Sequence, residues 1–214
     1  TEYTYQWNPE WEDDPSMPQL KITKSSLGKF EFCKKQYEFS YIEGRKSEPT
    51  PPMIKGTVVH NSYENFYNDF DIKKAEGLES DNLYEYCMGL FPIDEHGDLY
   101  QTMAAFETER FIESNSAGSL SDYLPVGNEV MCNAKLEIKK GQHRLGRQEF
   151  TLQRDYTVHL QGIIDRVFRE GDGFIPVELK TGAWKNPAQK RTSMRKEMAF
   201  YKVLMDADPD CNMD

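Results

Sequence analysis

The chain has 214 residues, 38% hydrophobic and 13% aromatic, enough for a packed core in one large domain and too much for a disordered segment. No apolar run approaches the roughly 18–20 residues that span a bilayer, and no signal-peptide pattern opens the sequence; the cysteines at 33, 87, 132 and 211 lack the spacing of a disulfide framework, so a reducing, cytoplasmic setting is expected. The formal net charge of −10 taken alone argues against nucleic acid, but acid gathers at 9–14 and 64–98 while base gathers at 139–154 and 185–202.

In chain order, residues 1–20 are rich in Pro and Trp without a period and read as an N-terminal arm. Residues 21–125 predict helices. In KITKSSLGKFEFCKKQYEFSYIEG, Thr23 or Ser25 can cap a helix whose Leu27, Phe30, Cys33, Tyr37 and Tyr41 recur at three- and four-residue spacing. Gly44 stops it and SEPTPP is a loop. Residues 53–70 predict a second helix with Val59, Phe66 and Phe70 on one stripe beside Tyr63 and Tyr67, and 75–120 predict acidic helices broken at FPIDEHGD and SAGS. From about 126 the pattern turns to strands. Val130, Cys132, Ala134, Leu136 and Ile138 alternate, and the two apolar runs of VHLQGIIDRVFREGDGFIPVELKTG, joined by REGDG, predict a hairpin. Residues 193–207 predict a last helix with Met194, Met198, Tyr201 and Met205 on one face. Helices, then strands, then a helix imply an α+β or α/β domain with an N-terminal helical annex, 21–125 and 126–214 packing as one domain.

The end of the last strand, PVELKTG, is unusual because an apolar run there acquires Glu178 and Lys180. A turn centred between Gly171 and Asp172 places Asp165 directly opposite Glu178, with Cβ atoms about 4.5–5.5 Å apart, and Lys180 on the same face. A one-residue slip would put the two acids on opposite faces. Two carboxylates side by side in an apolar sheet repel and lose hydration unless a cation lies between them. A hard divalent ion such as Mg²⁺ meets that need and keeps positions open for water and phosphate, with a nearby lysine to hold the attacking water or stabilise charge at phosphorus. A short Asp…Glu-x-Lys pattern is more often a solvated strand end, with Asp165 paired to Arg166 or Lys180; the hairpin and the apolar flanks GII and FIPV set this one apart.

Asp165 followed by ELKTG resembles the core of the PD-(D/E)XK nucleases, in particular the RecB-type branch of CRISPR-associated and helicase-linked exonucleases. TKSSLGKFEFCKKQYEFSY is similar to that branch's N-terminal Ser-x-Leu…Phe…Cys…Tyr helix, and GTVVH (56–60) to its Gly-x-x-x-His element. Glu129 stands where a first-strand glutamate is expected, and EMAFYKVL resembles the Gln-Leu-x-x-Tyr helix, with Tyr201 matching. The resemblance spans about residues 20–205. It implies an α/β restriction-endonuclease-like core, a mixed central sheet flanked by helices. It also implies Mg²⁺ or Mn²⁺ held by His60, Asp165, Glu178 and the backbone carbonyl of Leu179, with Lys180 on the water and Glu129 and Tyr201 in the catalytic centre. Read without the resemblance, Glu129 is a solvated residue at a strand start, and Tyr201 is either a core aromatic or a DNA contact. The activity implied is metal-dependent hydrolysis of DNA phosphodiester bonds. An exonuclease on ends or single strands is expected, in repair, recombination or CRISPR-type processing, with a helicase or other DNA-processing partner. A structure- or site-specific endonuclease on the same core, or a non-catalytic DNA-end-binding subunit, are the alternatives. Lys185, Lys190, Arg191, Arg195 and Lys196, with Arg144 and Arg147, are expected to track the DNA backbone. Two positions depart from the branch. Glu197 replaces the usual glutamine, and of the four cysteines that hold an iron–sulfur cluster in some members only Cys33 and Cys211 have counterparts, so no cluster is expected.

Overall fold

One long strand, β5 (Tyr156–Glu170), is the axis of the sheet in the computed structural model, which describes residues 19–182 and 186–208. β2 (Gly127–Ile138) runs antiparallel along one edge, from Gly127 opposite Val167 to Ile138 opposite Tyr156. The other edge is shared by two short strands. β1 (Gln19–Thr23) pairs in parallel with 157–161, and β6 (Gly173–Val177) pairs antiparallel with 166–170. These two directions make β1 and β6 run toward each other along the same edge. They stop short of meeting, which leaves 162–165 of β5 open between Thr23 and Val177.

Helices flank this sheet. α1 (Lys24–Phe32) and α2 (Lys34–Tyr37) are separated by Cys33, whose backbone is extended, and a π-helical turn Glu38–Ile42 follows. Then come α3 (Pro51–Asp69), α4 (Ile72–Glu76), α5 (Ser80–Gly89) and α6 (Gly97–Ala117). β3 (Gly141–Leu145) and β4 (Gln148–Leu152) form a separate two-stranded sheet, and α7 (Pro187–Ala207) ends the described chain. The mixed sheet, the flanking helices and the helical N-terminal region are the restriction-endonuclease-like architecture expected. Among the described residues no helix is long and apolar enough to cross a membrane.

Buried side chains fall into two groups. One fills the helical region with Val59, Phe66, Phe70, Leu83, Tyr100 and Phe111. The other lies between the sheet and α7, joining Val130, Cys132, Leu160 and Ile164 to Tyr201 and Leu204. α7 approaches the sheet over Gly162, where an added Cβ would lie 2.7 Å from Leu204 Cδ1.

Three expectations need correction. Gln19 and Leu20 belong to a strand rather than to the arm; residues 1–18 lie outside the described residues. The N-terminal helix is broken at Cys33. The last helix starts at Pro187 rather than 193, because proline suits the first helical position and Asn186 caps it by accepting from the Gln189 N–H. Cys132 is disulfide-bonded, whereas Cys33 and Cys87 are free thiols.

Candidate active site

The open stretch of the β5 edge is where side chains singled out in the sequence gather. On one side, Thr23 ends β1 and caps α1: its hydroxyl accepts from the Ser26 N–H, and the Ser26 hydroxyl accepts from the Thr23 N–H at 2.9 Å. This box fixes Lys24 at the first helical position, pointing into the opening. On the other side, β6 ends at Val177, and Glu178 is the next residue. The last hairpin pair is Arg166 opposite Val177, so Glu178 continues the register to a position opposite Asp165. The Leu179 N–H donates to Asp165 Oδ2 at 2.7 Å, which ties the strand end to that acid.

Two further elements supply ligand atoms. α3 passes the strand end closely, a Cβ on Gly56 falling 3.7 Å from Thr181 Oγ1, and one turn later His60 Nδ1 lies 3.5 Å from Asp165 Oδ2. On β2, Glu129 lies opposite Asp165, with the register unchanged on either side of it. Its φ of 48° is left-handed, a conformation that costs a non-glycine residue about 1–3 kcal/mol. Alternation changes phase around this point. Ile164 and Val167, three apart, both join the cluster under α7, whereas Arg166 lies over the Tyr63 ring of α3. Asn128 reaches Asn68 of α3, whereas Val130 packs toward α7. The result is that one ligand atom each from His60, Glu129 and Asp165 lie within 4.8 Å of one another, all partly buried.

Beside this trio is a network of opposite charges. Glu178 Oε1 accepts from Lys24 Nζ at 2.8 Å and from Lys180 Nζ, and its Oε2 accepts from the Tyr201 hydroxyl at 2.6 Å. Glu197 accepts from Lys180 at 2.9 Å and also pairs with Lys24. Lys24 further donates to the Tyr201 oxygen at 2.8 Å. Burial opposes ionisation of Glu178, but the Lys24 charge and the hydrogen bonds from Lys180, Lys24 and Tyr201 outweigh it and hold the carboxyl at about 2. Asp165 moves the other way: burial, then the Glu178 charge, push its carboxyl up, against His60, the Leu179 N–H and Lys24. Burial disfavours the Lys24 ammonium, yet Glu178 and Glu197 raise it above the ordinary lysine value. Burial, followed by Glu178, raises the Tyr201 phenol, so it stays a neutral donor. Adjacent acids pushed apart in this way are the arrangement by which one site keeps two carboxyls in different roles.

The imidazole and two carboxylates suit a hard or borderline divalent cation such as Mg²⁺ or Mn²⁺. A cation there would also relieve the strain on buried Asp165 beside Glu178.

Seven of the residues singled out in the sequence therefore meet around Asp165: His60, Glu129, Asp165, Glu178, Leu179, Lys180 and Tyr201. Leu179 faces Asp165 through its N–H, and both Glu178 oxygens are engaged by lysines and Tyr201. Tyr201 is a fully buried core ring whose hydroxyl reaches Glu178. Lys190 and Lys196 line a groove of about 670 Å³ with Lys24 and Lys180, and Lys196 also pairs with Glu31. Arg191 and Arg195 are exposed on α7. Arg144 and Arg147 sit on the separate β3–β4 hairpin, where Arg144 is opposite Glu149. Lys185 and Cys211 lie outside the described residues. Lys24 is the member that sequence reasoning missed. Its signal is a lysine in the first turn of a capped helix, where the helix dipole favours an acid.

A family model described as the PD-(D/E)XK nuclease superfamily matches residues 21–212. No curated protein matches the chain.

Proposed function

Because the chain belongs to the PD-(D/E)XK nuclease superfamily, we propose that it is a divalent-metal-dependent DNA nuclease of the RecB type, an exonuclease acting on ends or single strands. The observation that carries this reading is the meeting of the His60–Glu129–Asp165 group with Glu178 and Lys180 around Asp165, beside the open 162–165 stretch of β5. His60, Glu129 and Asp165 would hold Mg²⁺ or Mn²⁺, with Glu178 and the Leu179 carbonyl as the further ligands that the resemblance implies. Such an ion supplies Lewis-acid polarisation of the phosphodiester and a more acidic water. The chain's own residues do the positioning. The Lys180 ammonium is held between Glu178 and Glu197, from which it can turn to a water or to a phosphate oxygen as charge develops there. Lys24 is a second ammonium on the same two carboxylates, so one lysine can leave without stranding both acids. Tyr201 holds the orientation of Glu178. The RecB assignment is supported by the histidine element preceding β2 and the tyrosine helix following β6. It carries with it a place in repair, recombination or CRISPR-type processing beside a helicase.

The test is degradation of end-labelled linear and closed circular DNA, single- and double-stranded, with Mg²⁺, Mn²⁺ or chelator. Linear strands should shorten from an end only with metal, and circles should persist. Cutting of circles would replace the exonuclease by an endonuclease, and tight end binding without cleavage in either metal would identify an end-binding subunit.

A further inference from the structure

Glu178 to Thr181 form one wall of a second hollow, a cleft of about 620 Å³ lined mainly by apolar and aromatic side chains, among them Tyr63, Met103, Phe106 and Phe168, with Arg166 beside them. Lys180 borders both this cleft and the lysine groove between α1 and α7. A phosphate placed at Lys180 therefore has a hollow on each side, one with lysines set among Leu27, Met194, Phe200 and Val203, the other walled by aromatic rings. The groove offers Lys24, Lys190 and Lys196, which suit a sugar–phosphate backbone. The cleft offers ring faces, which suit a base.

Two side chains make the cleft more than a surface depression. Phe106 is 57% exposed on α6, a large ring turned away from the helical core. Arg166 is only 4% exposed, and its guanidinium lies 4.0 Å from the Tyr63 ring centroid and 5.3 Å from that of Tyr67. Its buried Nε has no hydrogen-bond partner among the described residues. Arg110, which lines the same cleft, places Nε and a terminal nitrogen on buried Glu107 instead. An unmatched buried donor is costly and favours a ligand that brings an acceptor. A nucleobase brings two apolar faces and an acceptor edge together. In a duplex its faces are stacked and its pairing edge is used, so only an unpaired base can enter.

We propose that this cleft receives the base of the nucleotide adjoining the phosphate at Lys180, so that the substrate strand must be unpaired there. The proposal rests on the nuclease reading of the site and narrows its substrate to single-stranded or frayed DNA.

The experiment uses short labelled single strands carrying an abasic residue at each position in turn, and a blunt duplex. Binding is read by anisotropy with Ca²⁺, cleavage separately with Mn²⁺. One abasic position should weaken binding about tenfold, the scale of losing one stacked base. Phe106→Ala should weaken the intact strand similarly and remove the difference between intact and abasic strands. Phe106→Trp should restore it, and duplex affinity should not change. Equal affinity at every abasic position, or a duplex bound and cut as well as a single strand, overturns the proposal. Cleavage with no abasic effect discards the cleft and keeps the nuclease. A position-specific abasic effect without cleavage keeps the cleft and discards the nuclease.

Discussion

Lys180 spends both of its contacts on carboxylates, Glu178 and Glu197, and neither carboxylate depends on it alone because Lys24 reaches both. Losing Lys180 should therefore leave the site standing. Lys180→Ala is expected to keep metal and DNA affinity while lowering the single-turnover rate by about 10²-fold or more, the scale of removing a positioned electrostatic group. Asp165→Asn should weaken Mn²⁺ binding as well as the rate, because it removes the negative charge of one of the three grouped ligands; calorimetry beside the rate assay separates the two. Glu178 supplies a pH test. Its carboxyl falls from the usual 4.5 to about 2 on folding, so it stabilises the fold above pH 4.5 and loses that contribution as pH drops from there toward 2. Glu178→Gln should lower stability at pH 7, leaving Lys24 and Lys180 on Glu197 alone, and should flatten the acid side of the profile between about pH 4.5 and 2 in urea titrations. Asp165 and Glu178 were legible as a pair because REGDG sets a turn centre and the register follows from it, as the Arg166–Val177 pair one step earlier shows. The left-handed φ of Glu129 was not legible, since nothing about a glutamate predicts it. Lys24 was not legible either, because its partners are 154 and 177 residues away.

At the scale of elements, what was readable is what has a period. α3, β2 and the β5–β6 hairpin carry apolar residues at helical or alternating spacing and were expected near their observed positions. β1 was missed because it is five residues long, too short to show alternation against the cap that follows it. β3 and β4 were missed because their polar residues are almost all exposed, so no burial pattern marks them. The packing of α7 on β5 makes a prediction at this scale. Leu204 is fully buried above Gly162, and a methyl there would lie 2.7 Å from its Cδ1. Gly162→Ala should cost about 1–3 kcal/mol by overpacking. Adding Leu204→Ala should cost less than the sum of the two single changes, since each relieves the other; urea melts of the four proteins check this cycle.

Over the whole molecule the charge is lopsided. A net charge of −10 repels DNA in general. Against it, Lys190, Arg191 and Arg195 of α7 make no ion pair among the described residues, whereas Lys196 and Lys202 are matched by Glu31 and Asp206. Affinity for a single strand should thus fall steeply with salt. Replacing Lys190, Arg191 and Arg195 by alanine should shrink the slope of log affinity against log salt by roughly 2, at about 0.7 per lost phosphate contact. The converging strands β1 and β6 have a different kind of consequence, one for the order in which the molecule comes apart. Lys24 is brought to Glu178 only by the docking of a five-residue edge strand, and that strand adds little to the buried clusters beyond half-buried Ile22. Short peripheral pieces with few buried contacts open at lower free energy than the core. Under increasing urea, the nuclease activity proposed above should therefore fade while far-ultraviolet dichroism is still native, and the protein would inactivate by releasing one strand before it unfolds.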